Sequence, residues 1–351
     1  MKPAACPEFD IMIRRQSTEG DYLAILLNSP AGECEQNFSL RGTEERIEES
    51  IRRISDDDDY TAARDIGRLC FERLFADELG QHWLACRTVR PIRIRLRLHD
   101  AYLSALPWEL MVDSSSDTFL FGSESVSLVR HIPATGIPIH APESSLFRIL
   151  LITASPSDDA PLDVDEEARQ IATAIAPRDP KRRFEIKMLE PPTLERLQDE
   201  LSEQQYGTYS VIHFAGHGMY DGTTRGTWLD FENDGGARKQ VSALQFATMV
   251  QDHGIRLAFL NCCESGQHSI HSVRYGLAAV LRRIGVPAVV AMQGAVDDEA
   301  AILFASEFYQ NLALGKSLDE AVSRGRKSLY RKFDNHWLGR PSLFLQMGKI
   351  P

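Results

Sequence analysis

Cysteine is scarce in this chain. Six residues among 351 (Cys6, Cys34, Cys70, Cys86, Cys262 and Cys263) are too few for a disulfide scaffold and fit free thiols in a reducing compartment. Long apolar runs are missing as well. No stretch approaches the roughly 20 residues that span a bilayer, and the amino terminus, MKPAACPEFD, has no apolar signal core, so a cytoplasmic location without membrane association is expected. Positive charge is in deficit: 39 Lys and Arg against 50 Asp and Glu leave a net charge of −11, which removes the compositional basis for binding nucleic acid or an anionic membrane. Internal repeats and low-complexity tracts are absent. What is present, at 43% hydrophobic and 25% charged residues, is an ordinary folded chain with apolar material for one large or two modest domains.

The first part reads as α+β. Residues 9–15, 22–27 and 34–40 are strand candidates separated by Gly- and Pro-bearing turns, and residues 44–54 and 60–76 carry apolar side chains at helical spacing. The acidic run 56–59 lacks the spaced ligands and glycine of a calcium loop, so a solvated turn is expected. Residues 91–99, PIRIRLRLH, alternate strictly, which predicts a strand with Ile92, Ile94, Leu96 and Leu98 inward and the arginines wet. Leu106-Pro107-Trp108-Glu109-Leu110 predicts a rigid, packed corner. A stretch rich in Pro, Gly and Ser after Pro133 marks a boundary, so residues 1–135 form an amino-terminal α+β region and residues 145–351 a second domain.

In that second domain strands and helices alternate. Strands at 147–153, 184–189, 209–215, 257–261, 287–292 and 342–346 are interleaved with helices, which predicts a mostly parallel six-stranded sheet with helices on both faces. Residues 228–232 and the following Asn233-Asp234-Gly235-Gly236 interrupt the alternation and predict a small hairpin over the strand ends.

Two of these strands end in reactive groups. Tyr209 to Gly218 (YSVIHFAGHG) ends in His217, and Leu257 to Gly266 (LAFLNCCESG) ends in two thiols and a carboxylate, at the carboxyl ends of strands, where open α/β sheets keep their sites. A thiol attacks a carbonyl as thiolate and needs a base and an oxyanion-holding pair of donors. His217 is the candidate base, Cys263 or Cys262 the nucleophile, and the backbone N–H groups of Cys263 and Gly218 the candidate donors. Periodicity places the two cysteines on opposite faces and leaves both open. His213, inside its strand, is read as a structural hydrogen-bonding residue. Zinc held by His213, His217, Cys262 and Cys263 is disfavoured, because adjacent cysteines seldom ligate one ion without a turn between them. Gly216 and Gly218 lack the following Lys-Ser/Thr or the third glycine of a nucleotide loop, so neither metal nor cofactor is expected.

These residues together resemble the CHAT family of caspase-like cysteine peptidases, related to caspases, gingipains and separase. The resemblance rests on Leu106-Pro107-Trp108-Glu109-Leu110, His213-Phe214-Ala215-Gly216-His217-Gly218, Leu260-Asn261-Cys262-Cys263-Glu264-Ser265-Gly266, and Val286-Pro287-Ala288-Val289-Val290 followed by Asp298-Glu299-Ala300-Ala301, in the family's order. The separation of His217 from Cys263 is close to the roughly 50 residues of caspases. The resemblance implies a caspase-like sheet in the order 2-1-3-4-5-6 and a Cys-His dyad. It assigns Cys263 as nucleophile, with Cys262 where the family usually has alanine, His217 as catalytic histidine, and Gly218 with Cys263 as oxyanion donors. Asp298 is placed like the residue that reads a basic P1 side chain in separase-like relatives, with Asp297 its competitor and helix capping the structural alternative for Asp298. Asn261 departs from metacaspase-like relatives, which have an acid there. The implied function is a cysteine endopeptidase cutting a protein partner after Arg or Lys, an activatable effector in bacterial regulated proteolysis or defence. A co-encoded protein is the implied substrate, and a sensor subunit acting on the loops at 222–240 and 266–272 the implied activator. The alternatives are a catalytically silent interaction module of the same fold and a small-molecule amidase using the same dyad.

Overall fold

The computed structural model describes residues 6–17, 20–131, 146–221, 226–264, 273–294 and 296–346. Its contacts divide into two compact units, Met1–Pro133 with Val322–Ser342, and Ala134–Ala321 with Leu343–Pro351. The linker expected after Pro133 lies outside the described residues, as do residues 222–225 and 265–272.

The first unit begins with three antiparallel strands, β1 (Glu8–Arg15), β2 (Asp21–Asn28) and β3 (Cys34–Ser39). Helices α1 (Glu44–Asp56), α2 (Tyr60–Leu74) and α3 (Asp77–Cys86) follow. Next come β4 (Ile92–Leu98), parallel to β1, a short α4 (Ala101–Ala105), the two-stranded ribbon of β5 (Val112–Asp113) and β6 (Thr118–Phe119), and β7 (Val126–His131), parallel to β4. The core is aromatic where the helices meet the sheet: Phe9 sits edge-on to Trp83 at 5.5 Å. In the acidic run, Asp59 caps α2 by accepting from the Ala62 N–H at 2.9 Å, and Asp58 accepts from Trp337 Nε1 at 2.8 Å.

The arginine face of β4 is not wet, contrary to the alternation argument. β1 lies beside it with Glu8 level with Arg93 and Asp10 level with Arg95. Arg95 Nη2 therefore donates to Glu8 at 2.7 Å and Arg97 Nε to Asp10 at 2.7 Å, with the three arginine side chains only 10–18% exposed. Alternation reports that a strand has two faces; it does not report what covers the second.

The second unit carries β8 (Phe147–Thr153), α5 (Val164–Ile175), β9 (Phe184–Met188), α6 (Leu194–Glu203), β10 (Val211–Asp221), β11 (Gly226–Glu232), β12 (Arg238–Ser242), α7 (Ala243–Val250), β13 (Leu257–Glu264), α8 (Val273–Arg283), β14 (Ala288–Met292) and α9 (Asp298–Ala313). After α10 (Leu318–Phe333) the chain ends its regular structure in β15 (Pro341–Leu345), of which residues 343–345 belong to this unit. The sheet runs β9-β8-β10-β13-β14 with every one of these pairings parallel, and β15 stands next in line. This is the anticipated 2-1-3-4-5-6 order. The hairpin anticipated from residues 228–236 is β11–β12, which pairs antiparallel with the far half of β10. Phe308 and Tyr309 of α9 pack on Phe259 on one face of the sheet, and Phe246 of α7 packs with Phe214 and Phe231 on the other, so both faces are dry and the strands read as apolar runs.

The Leu106–Leu110 corner has a job within the first unit. Glu109, fully buried, accepts from Arg130 Nε at 2.8 Å and from Ser342 Oγ at 2.6 Å. Arg130 also donates to the carbonyls of Ser104 and Leu106, at 2.7 and 2.8 Å. Arg326, on α10, lies 3.7 Å from the same carboxylate and donates to the Pro341 carbonyl. Burial pulls its guanidinium down to about 10, still protonated at neutral pH. One carboxylate thus faces two buried cations, and its removal strands both. Glu109→Ala should lower unfolding free energy by about 3–5 kcal/mol in urea titrations, whereas Glu49→Ala, which removes an exposed helical ion pair with Arg52, should leave the midpoint in place.

Candidate active site

β10 and β13 pair in parallel with His213 level with Phe259, Gly216 with Cys262, and His217 with Cys263. An added Cβ at Gly218 would lie 3.2 Å from Cys262 Cβ and 3.4 Å from its Sγ. The buried Cys262 side chain therefore occupies the face of Gly218, while His217, one residue earlier, faces the other way. The position level with His217 on β13 is Cys263.

His217 is 5% exposed, and its Nε2 lies 2.7 Å from the Ala160 carbonyl oxygen. A carbonyl only accepts, so Nε2 carries the hydrogen, and the neutral ring keeps its basic lone pair on Nδ1. Ala160 belongs to the loop that leaves β8, and the β11–β12 hairpin holds that loop. The Ser155 N–H donates to Glu232 Oε1 at 3.0 Å, the Ser157 N–H to the Gly236 carbonyl at 2.9 Å, and the Arg238 N–H to Asp158 Oδ1 at 2.6 Å. The tautomer of His217 is thus set by a loop that the hairpin fixes.

His213 is fully buried and structural. Its Nδ1 is 3.0 Å from Tyr309 Oη, its Nε2 3.1 Å from Glu167 Oε1, and its ring stacks on Phe259 at 4.6 Å. Burial, with the Glu167 carboxylate nearby, pushes the Tyr309 hydroxyl well up, so it stays protonated. Glu167 Oε1 also accepts from Asn261 Nδ2 at 2.7 Å. Glu167 escaped the sequence reading, although a signal existed: it occupies the same helical stripe as the buried Ile171 and Ile175, and a carboxylate at a core position demands a partner.

Beside this cluster lies a small cleft. Leu162, Val164, Ala301 and Ile302 form apolar walls, and Asp163, Glu167, Asn261 and Asp298 bring polar groups. Asn261 Oδ1 is buried there without a hydrogen-bond partner among the described residues. Asp298, the first residue of α9, accepts from the Asp163 N–H at 3.1 Å. Asp297 stands at the N-cap position, makes no side-chain cap bond, is exposed, and does not line the cleft. Gly218 is level with Leu229 of β11 and Glu264 of β13. Among the described residues no three His, Cys, Asp or Glu side chains gather as a metal would need, and no helix is long and apolar enough to cross a membrane.

The CHAT domain family model matches residues 64–347. Among solved structures, the Saccharomyces cerevisiae separase-securin complex is similar, with a TM-score of 0.51 and 11% identity over 97% of this chain and 30% of that one. This chain therefore spans less than a third of the separase chain's length. The complex of the Porphyromonas gingivalis RgpB pro- and mature domains matches at a TM-score of 0.45 and 11% identity, over 86% of this chain and 75% of that one. The Drosophila initiator caspase Dronc matches at 0.37 and 10%, over 61% and 88%. No curated protein matches by sequence. The fold is caspase-like, with the amino-terminal strand region preceding it.

Glu167→Ala should cost about 1–3 kcal/mol of stability by leaving the buried Asn261 Nδ2 donor without its acceptor. Adding Asn261→Leu, which removes the stranded donor, should return part of it in a double-mutant cycle.

Proposed function

The chain belongs to the CHAT domain family, and from that premise we propose that it is a cysteine endopeptidase in which Cys263 and His217 cut a protein partner after a basic residue. One observation carries the reading: His217 and Cys263 are level on adjacent parallel strands, at the carboxyl end of the sheet, where α/β folds keep their chemistry. The thiol proton passes to His217 Nδ1, the nitrogen left basic by the Nε2–H bond to Ala160. The thiolate then adds to the scissile carbonyl carbon, and the N–H groups of Cys263 and Gly218 receive the oxyanion. As the tetrahedral adduct collapses, His217 returns the proton to the leaving amine. Water, deprotonated by His217, then hydrolyses the thioester and restores the thiol.

The cleft supports the basic P1 preference. A guanidinium or ammonium entering between α5 and α9 would meet the Asp298 carboxylate and the unpartnered Asn261 Oδ1, with Glu167 alongside. Asp298 is the better candidate of the two aspartates, since Asp297 points its exposed position away from the lining. Asn261, which stands where metacaspase-like relatives have an acid, contributes an acceptor without a charge, and the negative charge comes from the helix beside it. The setting we infer is regulated proteolysis in a bacterial cell, with a co-encoded protein as substrate and a sensor subunit as activator. The dependence of His217 on a loop pinned by the β11–β12 hairpin gives such a subunit a handle.

A chloromethylketone with Arg at P1 should alkylate Cys263, read by peptide mass spectrometry. Cys263→Ala should abolish the adduct and Cys262→Ala should retain it. Asp298→Asn should slow this labelling by about 10–100-fold, the worth of a charge-assisted contact, and leave a reagent with Ala at P1 unaffected. Equal labelling of the two cysteine variants would remove the nucleophile assignment, and a preference for acidic P1 would remove the pocket assignment.

A further inference from the structure

We infer that Asp230 is the positioning residue for His217, a buried carboxylate level with the imidazole that stabilises its protonated form. The inference rests on the Cys263–His217 reading for its catalytic meaning and on sheet geometry for its existence.

The antiparallel pairing of β10 with β11 sets Gly218 level with Leu229, Met219 with Trp228, Tyr220 with Thr227 and Asp221 with Gly226. The ladder ends at Gly218, and the same register carried one step beyond that last pair sets Asp230 opposite His217, with which it interacts electrostatically. On its other side Asp230 is level with Gln240 of β12, and His217 is level with Cys263 of β13. Gln240, Asp230, His217 and Cys263 therefore form one row across four neighbouring strands. Residues level with each other on neighbouring strands share a face. The alternation along β11 agrees, since Phe231 packs with Phe214 and Phe246 on the opposite face.

Asp230 is 1% exposed, and its Oδ1 has no hydrogen-bond partner among the described residues. An orphaned carboxylate oxygen in the core is expensive and calls for an explanation. The charged and titratable groups that face it are His217 on β10, Arg238 on β12 and Asp159 in the loop after β8, with Gln240 supplying a side-chain hydrogen bond. Arg238 is shared, since its Nη1 also lies 3.4 Å from Asp159 Oδ2. Burial is the largest influence and pushes the Asp230 carboxyl up, Asp159 adds to this, and Arg238 and His217 oppose it. The charge left over on this carboxylate is balanced when His217 takes up a proton. When the thiol proton moves to Nδ1, the imidazolium is held between the Ala160 carbonyl and an anion in a site with little water, where Coulomb attraction is strong.

The test is a titration of the His217 imidazole by NMR in the full chain. Asp230→Asn should lower its pKa by about one unit, the usual effect of losing an opposite charge nearby, and Asp230→Glu should keep most of the wild-type value. The alkaline limb of Cys263 alkylation by iodoacetamide should move down by the same amount. A merely structural carboxylate would alter melting temperature and leave both titrations where they were, and that result in a folded Asp230→Asn chain overturns the inference. Where the substitution prevents folding, the wild-type carboxyl resonance of Asp230 decides: it should inflect at the pH where His217 titrates, and a single unrelated inflection overturns it. Movement of the His217 pKa in a chain whose Cys263 resists alkylation would support the Asp230–His217 pairing and sink the dyad.

Discussion

The unbroken parallel register of β10 against β13, from Val211 level with Leu257 to Gly218 level with Glu264, is the constraint on which the site depends. Side chains on a strand alternate with a period of two, so a slip of one residue would bring Gly216 or Gly218 level with Cys263 and turn His217 to the other neighbours. Apolar residues alone tolerate such a slip poorly but not absolutely, since both faces of this sheet are dry. The buried polar cluster removes the tolerance. Glu167 on α5 lies 3.1 Å from His213 on β10 and accepts from Asn261 on β13, which ties one helix to both strands at one register. In any other register the Asn261 donor and the Glu167 acceptor would lie in the core apart from each other, at a cost of a few kcal/mol. His213, the plainer of the two histidines, is thus what holds His217 in place.

Two strands, two reactive ends and the hairpin between them were legible from sequence because each is local: an apolar run, a terminal polar group, a cluster of turn residues. The parallel sheet followed from the regular alternation of strand and helix, and its order from the resemblance to caspase-like peptidases. The partners of Glu167 and Tyr309 were not legible, because they stand 94 and 96 residues away in the chain and periodicity has no range. The arginines of β4 failed for a related reason. Their alternation with aliphatics is genuine, and the acids that cover them come from a strand more than 80 residues earlier. The Leu106–Leu110 corner was rightly read as packing, but its carboxylate could not be seen reaching Ser342 from the motif itself.

In each unit a buried carboxylate serves long-range organisation, Glu109 in the first and Glu167 in the second, and the two do so differently. Glu109 faces Arg130 and Arg326 as a fully buried ion cluster; Glu167 faces an imidazole and an amide. A buried ion pair is a poor source of net stability and a strong penalty against misassembly, since either partner alone is left charged in a dry core. That suits a segment such as residues 322–342, which returns to the first unit after the chain has completed most of the second. A carboxylate paired with an amide beside a cleft suits a site instead, because no cation neutralises it before a ligand enters.

The placement of His217 follows from a fork in β10. Up to Ala215 the strand pairs with β8, and from Gly218 it pairs with β11, so residues 216 and 217 lie where one neighbour has left and the other is only arriving. The departing chain turns away at once, and an added Cβ on Gly216 would lie 3.0 Å from the Ala154 carbonyl oxygen and 3.0 Å from the Phe214 ring. A side chain there would displace the first residues of the loop that carries Ala160, and with it the acceptor that sets the His217 tautomer. The absence of a side chain at 216 and the orientation of the imidazole at 217 are therefore one requirement, imposed by backbone crowding at the fork. Gap and crowding together explain why His217 is placed at this point of the sheet: the gap admits the loop, and the crowding keeps it from moving without moving His217.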